Sequence, residues 1–184
     1  EDGIRAQPRS RGLGDVYKRQ VIARSVRWER DLWGLFTELK KPLIASLHGY
    51  VIGSGIEIAA LCYIRIASDD CKFRMPEVAL GMIPAAGGTQ TIARLVKASN
   101  ALDIILTNRL IFSEQAKKIG LVDRVVAFSE LTDKSKELAK SLTQMDPKVV
   151  SAAKRAVIEG SDLELKVGIQ LERRMAHILE SQKK

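Results

Sequence analysis

The stretch Ile44–Ile66, IASLHGYVIGSGIEIAALCYIRI, decides how the rest of the chain is read. Leu43 to Leu47 is an uninterrupted apolar run with the length of a buried strand, and it ends at His48-Gly49. A loop holding Gly53 and Gly55 follows, then a helix over Ile56 to Cys62. Glycine admits positive φ and lets backbone N–H groups approach a ligand closely. A helix start adds a partial positive charge at the same place. Strand, glycine loop and helix therefore suit an anion, or an oxygen that becomes anionic during a reaction. Glu57 stands just past the loop and is the single formal charge between Lys41 and Arg65. A carboxylate so placed is a candidate acid or base.

Upstream of this stretch, Trp28, Leu32, Leu35, Phe36 and Leu39 fall at helical spacing. A helix beginning near Val21 to Trp28 is expected to run toward Pro42, which forces its predecessor out of the α region. Residues 1–20 hold three glycines and a proline with no periodicity, and read as a disordered leader foreign to the fold. Downstream, Tyr63 to Ala67 is a second β-rich run, closed by the turn formers Ser68-Asp69-Asp70. Residues 72–88, KFRMPEVALGMIPAAGG, mix prolines and glycines with apolar residues and are expected to form a packed loop. Helices are expected from Thr89 to Val96 and from Asn100 to Thr107. A short strand over Leu110 to Phe112 precedes a helix Glu114 to Ile119, with Ser113 as N-cap and Gly120 as stop. Asp123 to Val126 is a short extended piece, and Leu131 to Leu142 an amphipathic helix. Asp146-Pro147 starts a helix to Gly160. Asp162 is expected to cap the last one, whose apolar stripe includes Leu163, Val167, Leu171, Met175, Ile178 and Leu179.

The chain has 184 residues, enough for one domain with a real core or most of a larger one. Its composition, 46% hydrophobic and 28% charged, is that of an ordinary globular protein. Arg65 and Glu57 interrupt the longest apolar run well short of membrane-spanning length, and no signal-peptide core follows the basic N-terminus. Two cysteines, Cys62 and Cys71, make neither a disulfide framework nor a zinc site, so a reducing compartment is expected. The net charge is +8. About half of that excess sits in residues 1–30, in Arg5, Arg9, Arg11, Lys18, Arg19, Arg24, Arg27 and Arg30 against four acids. Such a tail binds nucleic acid or anionic membrane by charge alone. It lacks interleaved aromatics and any nucleic-acid motif, so neither partner is expected.

A second carboxylate matters. Glu77 lies in MPEVALG, between a proline and an apolar run, as Glu57 lies in an apolar helix face. Carboxyls in apolar pockets have raised pKa values and can act as acid and base near neutral pH. Two such groups around one water could add it across a polarised double bond. Either glutamate alone is also compatible with capping a helix or satisfying loop amides.

KPLIASLHGYVIGSGIEIAALC (residues 41–62), followed by FRMPEVALGMIPAAGGTQ (residues 73–90), resembles the crotonase family, the enoyl-CoA hydratase/isomerase superfamily. TNRLIFSEQAKKIGLVDRVV (residues 107–126) is similar to the family segment leading into its "GLVD-V" turn, and the resemblance keeps its spacing over about residues 35–180. It implies an α/β fold: a spiral of ββα turns, here partial and over residues 21–128, then a C-terminal helical trimerisation region over 129–184. It also implies an enoyl-CoA hydratase, adding water to trans-2-enoyl-CoA to give 3-hydroxyacyl-CoA. Glu57 matches the first catalytic glutamate and Glu77 the second. The backbone N–H of Ser54 matches one donor of an oxyanion hole that holds the thioester oxygen. Such a donor is worth roughly 3–4 kcal/mol. The other donor belongs to an earlier family segment with no match in this sequence. Gly53, Gly55 and Ala85 match substrate-lining positions.

No cofactor or metal is implied, since coenzyme A is part of the substrate. A homotrimer or dimer of trimers is implied, in the cytoplasm or, in a eukaryote, the mitochondrial matrix. Having both glutamates favours hydratase over an enoyl-CoA isomerase. A non-catalytic protein binding acyl-CoA or RNA is the alternative from another class. The chain departs from the family at Tyr63 (usually Asp), Arg74 (usually small), Thr91 (usually Arg) and Asn108 (usually Gly). It also resembles a family member truncated at both ends, with a sheet edge left open. His48 is expected to be a packing residue, His177 to be exposed or at a subunit contact, and Ser54 not to be a nucleophile.

Overall fold

The computed structural model describes residues 32–182. The leader expected at 1–20 and the helix start expected near residues 21–28 lie outside the described residues. Leu32–Glu38 forms helix α1 and belongs to a unit of its own, Glu1–Glu38. The second unit, Leu39–Lys184, holds all that follows.

Two parallel pairings, one in each of two sheets, set the architecture. Strand β1 (Ile44–Leu47) lies beside β3 (Ile64–Ser68), with Ile44 opposite Ile64 and Leu47 opposite Ala67. Strand β2 (Tyr50–Ile52) lies beside β4 (Lys72–Arg74), with Tyr50 opposite Lys72 and Ile52 opposite Arg74. Each turn of chain thus gives one strand to each sheet, and helix α2 (Ser54–Ala60) links the first turn to the second. This is the ββα spiral. Beyond it come α3 (Gly88–Val96), α4 (Ala98–Thr107), β5 (Ile111–Phe112), α5 (Ser113–Ile119) and β6 (Arg124–Val126). β6 extends the first sheet parallel to β3, and β5 closes the second antiparallel to β4. Three helices end the chain: α6 (Leu131–Thr143), α7 (Pro147–Ser161) and α8 (Leu165–Ser181). Fold class and topology are as the resemblance implied.

The main core lies between the second sheet and helices α2 to α4. Phe73, Met75, Ile56, Ile92, Val96 and Ile104 are all sealed from solvent in it. Burial of an aliphatic or Phe side chain is worth about 1.5–3 kcal/mol each, so this cluster holds the glycine loop and the Glu77 segment to one frame. At the other end of β3, Arg65 is buried. It donates to Cys62 O at 2.6 Å and pairs with Asp123 at 2.9 Å, while its own N–H donates to Asp123 Oδ2 at 2.7 Å. That pair anchors the Leu121–Asp123 turn to the spiral.

Local expectations were corrected in four places. Residues 48–53 are not all loop, because Tyr50–Ile52 is β2. Residues 72–88 are not all loop either, because Lys72–Arg74 is β4 and Val78–Leu80 a 3-10 turn. Both strands are three residues long and depend on partners far along the chain, so local periodicity cannot reveal them. Ser113 does not cap α5. It is buried, and its hydroxyl turns to the carbonyls of Ser68 at 2.7 Å and Asp69 and Cys71 at 3.2 Å, tying α5 to the β3–β4 turn. Asp162 does not cap α8 but follows α7, pairing with Arg94 at 3.5 Å, and Glu164 precedes α8. Asp146 does cap α7, accepting the Lys148 N–H at 2.7 Å. Gly120 ends α5 at φ +85.

Candidate active site

The site forms where α2, the Glu77 turn and the start of α3 meet. Glu57 occupies the first turn of α2 and is 2% exposed. One carboxylate oxygen, Oε1, accepts the N–H of Ala86 at 2.9 Å and that of Gly88 at 3.1 Å. Gly88 is the first residue of α3, so the glutamate satisfies an N–H that its own helix leaves without a partner. Its charge also lies at the positive end of that helix. The fit demands glycine at 88. A Cβ there would lie 2.9 Å from Glu57 Oε1 and 3.0 Å from both Glu57 Cγ and Pro84 Cβ.

Glu77 comes from the opposite side. It opens the 3-10 turn Val78–Leu80, and its main-chain carbonyl accepts N–H groups from Leu80 at 3.0 Å and Met82 at 2.9 Å. Gly81, at φ +72, closes this turn. The Glu77 side chain lies against Gly53, where a Cβ would approach Oε1 to 2.6 Å. Gly53 also adopts φ +52 and ψ −116, a conformation that side chains resist. Glu77 Oε2 is buried with no hydrogen-bond partner among the described residues. Burial pushes the Glu77 carboxyl above the usual carboxylate range; its own backbone N–H offsets part of this, and the neighbouring charge of Glu57 adds a smaller upward push.

The glycine turn itself is held by backbone bonds at Gly53, whose carbonyl also accepts the Ile56 N–H at 2.8 Å. Gly53 N–H donates to Arg74 O at 2.9 Å, and Gly53 O accepts from Glu57 N–H at 3.1 Å. Ser54, the first residue of α2, has no preceding carbonyl within the helix for its N–H. Its side chain is exposed. The arrangement thus offers a backbone N–H, a carboxylate gripped by two amides, and a second carboxyl biased toward its protonated form. Together these can polarise a carbonyl and move two protons.

The sequence profile described as enoyl-CoA hydratase/isomerase matches residues 13–184. The chain belongs to that family. It is similar to a probable mitochondrial enoyl-CoA hydratase of Dictyostelium discoideum, 36% identical over 90% of this chain and 57% of that one. A short-chain-enoyl-CoA hydratase of Clostridium acetobutylicum is 40% identical over 73% of this chain and 51% of that one. Among solved structures, an enoyl-CoA hydratase from Thermobifida fusca in complex with CoA, itself described as a putative one, superposes with a TM-score of 0.82 at 28% identity. It covers 91% of this chain and 66% of its own. The chain spans little more than half the length of these curated relatives.

Of the residues expected in a family site, Glu57, Glu77 and Gly53 come together. A Cβ at Gly55 would meet Val51 Cγ1 at 3.5 Å, and Ala85 is exposed. The amides that grip Glu57 belong to Ala86 and Gly88, which sequence reasoning had not picked out. Backbone donors leave no side-chain signature, although the doubled glycine after Pro84 was a trace of the close approach. His48 packs edge-on against Phe128 at 5.8 Å, and His177 is exposed. Burial pushes both cysteine thiols up, which suits packing and not nucleophilic chemistry. Tyr63 carries the Lys154 ammonium 4.6 Å above its ring, which fastens α7 to the spiral. No helix among the described residues is long and apolar enough to cross a membrane.

Proposed function

We propose that the protein is an enoyl-CoA hydratase acting on trans-2-enoyl-CoA thioesters. The observation that carries this reading is the pair Glu57 and Glu77, drawn from two elements, the first gripped by two amides and the second with a buried oxygen that has no partner among the described residues. The thioester oxygen accepts the Ser54 N–H, which draws electron density from the β-carbon. Glu57 takes a proton from water as the water oxygen bonds to that carbon. The double-bond electrons move toward the thioester, giving an enolate on the Ser54 side. The Glu77 carboxyl then delivers its proton to the α-carbon, yielding the 3-hydroxyacyl thioester. After product leaves, Glu57 gives up the proton it took and Glu77 regains one from solvent, which restores the pair for the next turnover.

Within the same reading, the protein assembles as a homotrimer through α7 and α8. The exposed apolar side chains Val157, Leu165 and Ile178 on those helices support this. A reducing compartment, cytoplasm or mitochondrial matrix, suits two free buried cysteines. The test is hydration of crotonyl-CoA by wild type and Glu57→Gln, with a 3-enoyl-CoA assayed beside it. Loss of a proton carrier lowers kcat by about 10²–10⁴-fold. Full activity in the variant overturns the role of Glu57, and preference for the 3-enoyl thioester overturns hydratase in favour of isomerase.

A further inference from the structure

Arg74 ends β4, and both its backbone and its side chain are engaged. Its carbonyl accepts the Gly53 N–H at 2.9 Å. Its Nε–H is shared by the two oxygens of Asn108, the main-chain O at 2.8 Å and Oδ1 at 2.7 Å. Asn108 terminates α4 at φ +52, a left-handed conformation that asparagine tolerates better than other side-chain-bearing residues. Helix α4 also packs on the 3-10 turn that follows Glu77. There Val78 meets the core cluster that contains Ile104 and Ile105. The span from Met75 to Leu80 is therefore tied to α4 at both ends, in front by Arg74 and behind by apolar packing. Glu77 stands in the middle of that span, against Gly53, whose amide is tied back to Arg74.

We propose that Arg74 is a positioning residue, which sets the separation between the glycine turn and Glu77 by fastening the end of β4 to the C-terminus of α4. The consequence for catalysis rests on the acid/base reading of Glu57 and Glu77. The positioning itself does not. Arg74 acts through Gly53 and the backbone leading to Glu77 and touches no reacting group. A charged donor makes a stronger hydrogen bond than a neutral one, although exposure of this one tempers its strength.

The test uses the chain as described, with Arg74→Ala, Arg74→Lys and Asn108→Gly variants. It follows hydrogen exchange at the Gly53 and Ile66 amides and carboxyl-carbon NMR titration of Glu77. Glu57, the charged group facing Glu77, is unaltered throughout. Arg74→Ala accelerates Gly53 exchange about fivefold or more, the loss of roughly one hydrogen bond, while Ile66 in β3 keeps its protection. The Glu77 titration moves down toward that of an exposed carboxylate as water gains access. Asn108→Gly keeps the main-chain acceptor and gives a smaller change in the same direction, and Arg74→Lys restores part of the effect. Unchanged Gly53 exchange and Glu77 titration in Arg74→Ala overturn the proposal, as does equal acceleration at Gly53 and Ile66. Should Arg74→Ala not fold, the same two readouts in Asn108→Gly decide. Neither readout involves turnover, so an inactive wild-type chain would count against the hydratase reading and leave this one standing.

Discussion

Glu57 and Glu77 reach one site under opposite treatment. Glu57 is buried but compensated by two amides, whereas Glu77 has an oxygen with no partner among the described residues. Folding raises the Glu77 pKa, so the folded chain holds that proton more tightly than the unfolded one. The stabilisation is complete below the ordinary value of 4.5 and is lost as pH rises through the folded value. Glu77→Gln therefore raises the melting temperature at about pH 8 and leaves it nearly unchanged at about pH 4; thermal melts across that range check the sign. Gly88→Ala drives a methyl into Glu57 and Pro84 and costs about 1–3 kcal/mol by denaturant unfolding, as overpacking does. Glu57 was legible in the sequence because it is alone in an apolar run. Glu77 was legible beside its proline. The donors that hold Glu57 were not, because an amide of Ala86 is chemically identical to any other.

At the scale of elements, the helices were legible and the short strands were not. Helices carry their signals locally: Asp146-Pro147 starts α7 as expected, and Gly120 stops α5. β2 and β4 carry little signal of their own, because each is defined by pairing with the other across a turn of the spiral. Ser113 shows the limit of cap reasoning, since a nearby row of carbonyls outbid the helix for its hydroxyl. One junction is strained. Lys97, between α3 and α4, holds φ +69 and ψ 154, where glycine is at ease and a side chain is not. Lys97→Gly stabilises the fold by about 1–2 kcal/mol, the strain relieved exceeding the entropy glycine adds to the unfolded chain. A rise in denaturant midpoint at constant slope is the expected result.

For the whole molecule, three separated sequence segments carried the spiral, and they do so because the spiral brings them together. Glycine turn, Glu77 turn and the Leu121–Asp123 turn are held by one core and by the pair of buried Arg65 with exposed Asp123. Asp123→Ala removes the half-exposed partner of the buried Arg65, which keeps its bond to the Cys62 carbonyl, and costs about 1 kcal/mol in equilibrium unfolding. What the sequence could not convey is how α7 and α8 are covered, since their exposed apolar residues read the same in a monomer and in an assembly. Leu165, 80% exposed, is the sharpest probe. Leu165→Glu lowers the sedimentation coefficient if the proposed assembly through those helices forms, and leaves it unchanged if it does not. The central claim, that two carboxyls work as one unit, is tested most directly by crotonyl-CoA hydration in Glu57→Gln, Glu77→Gln and the double variant. The account predicts that each single change costs nearly as much in kcat as both together. Independent, multiplying losses, or a single variant with wild-type kcat, would contradict it.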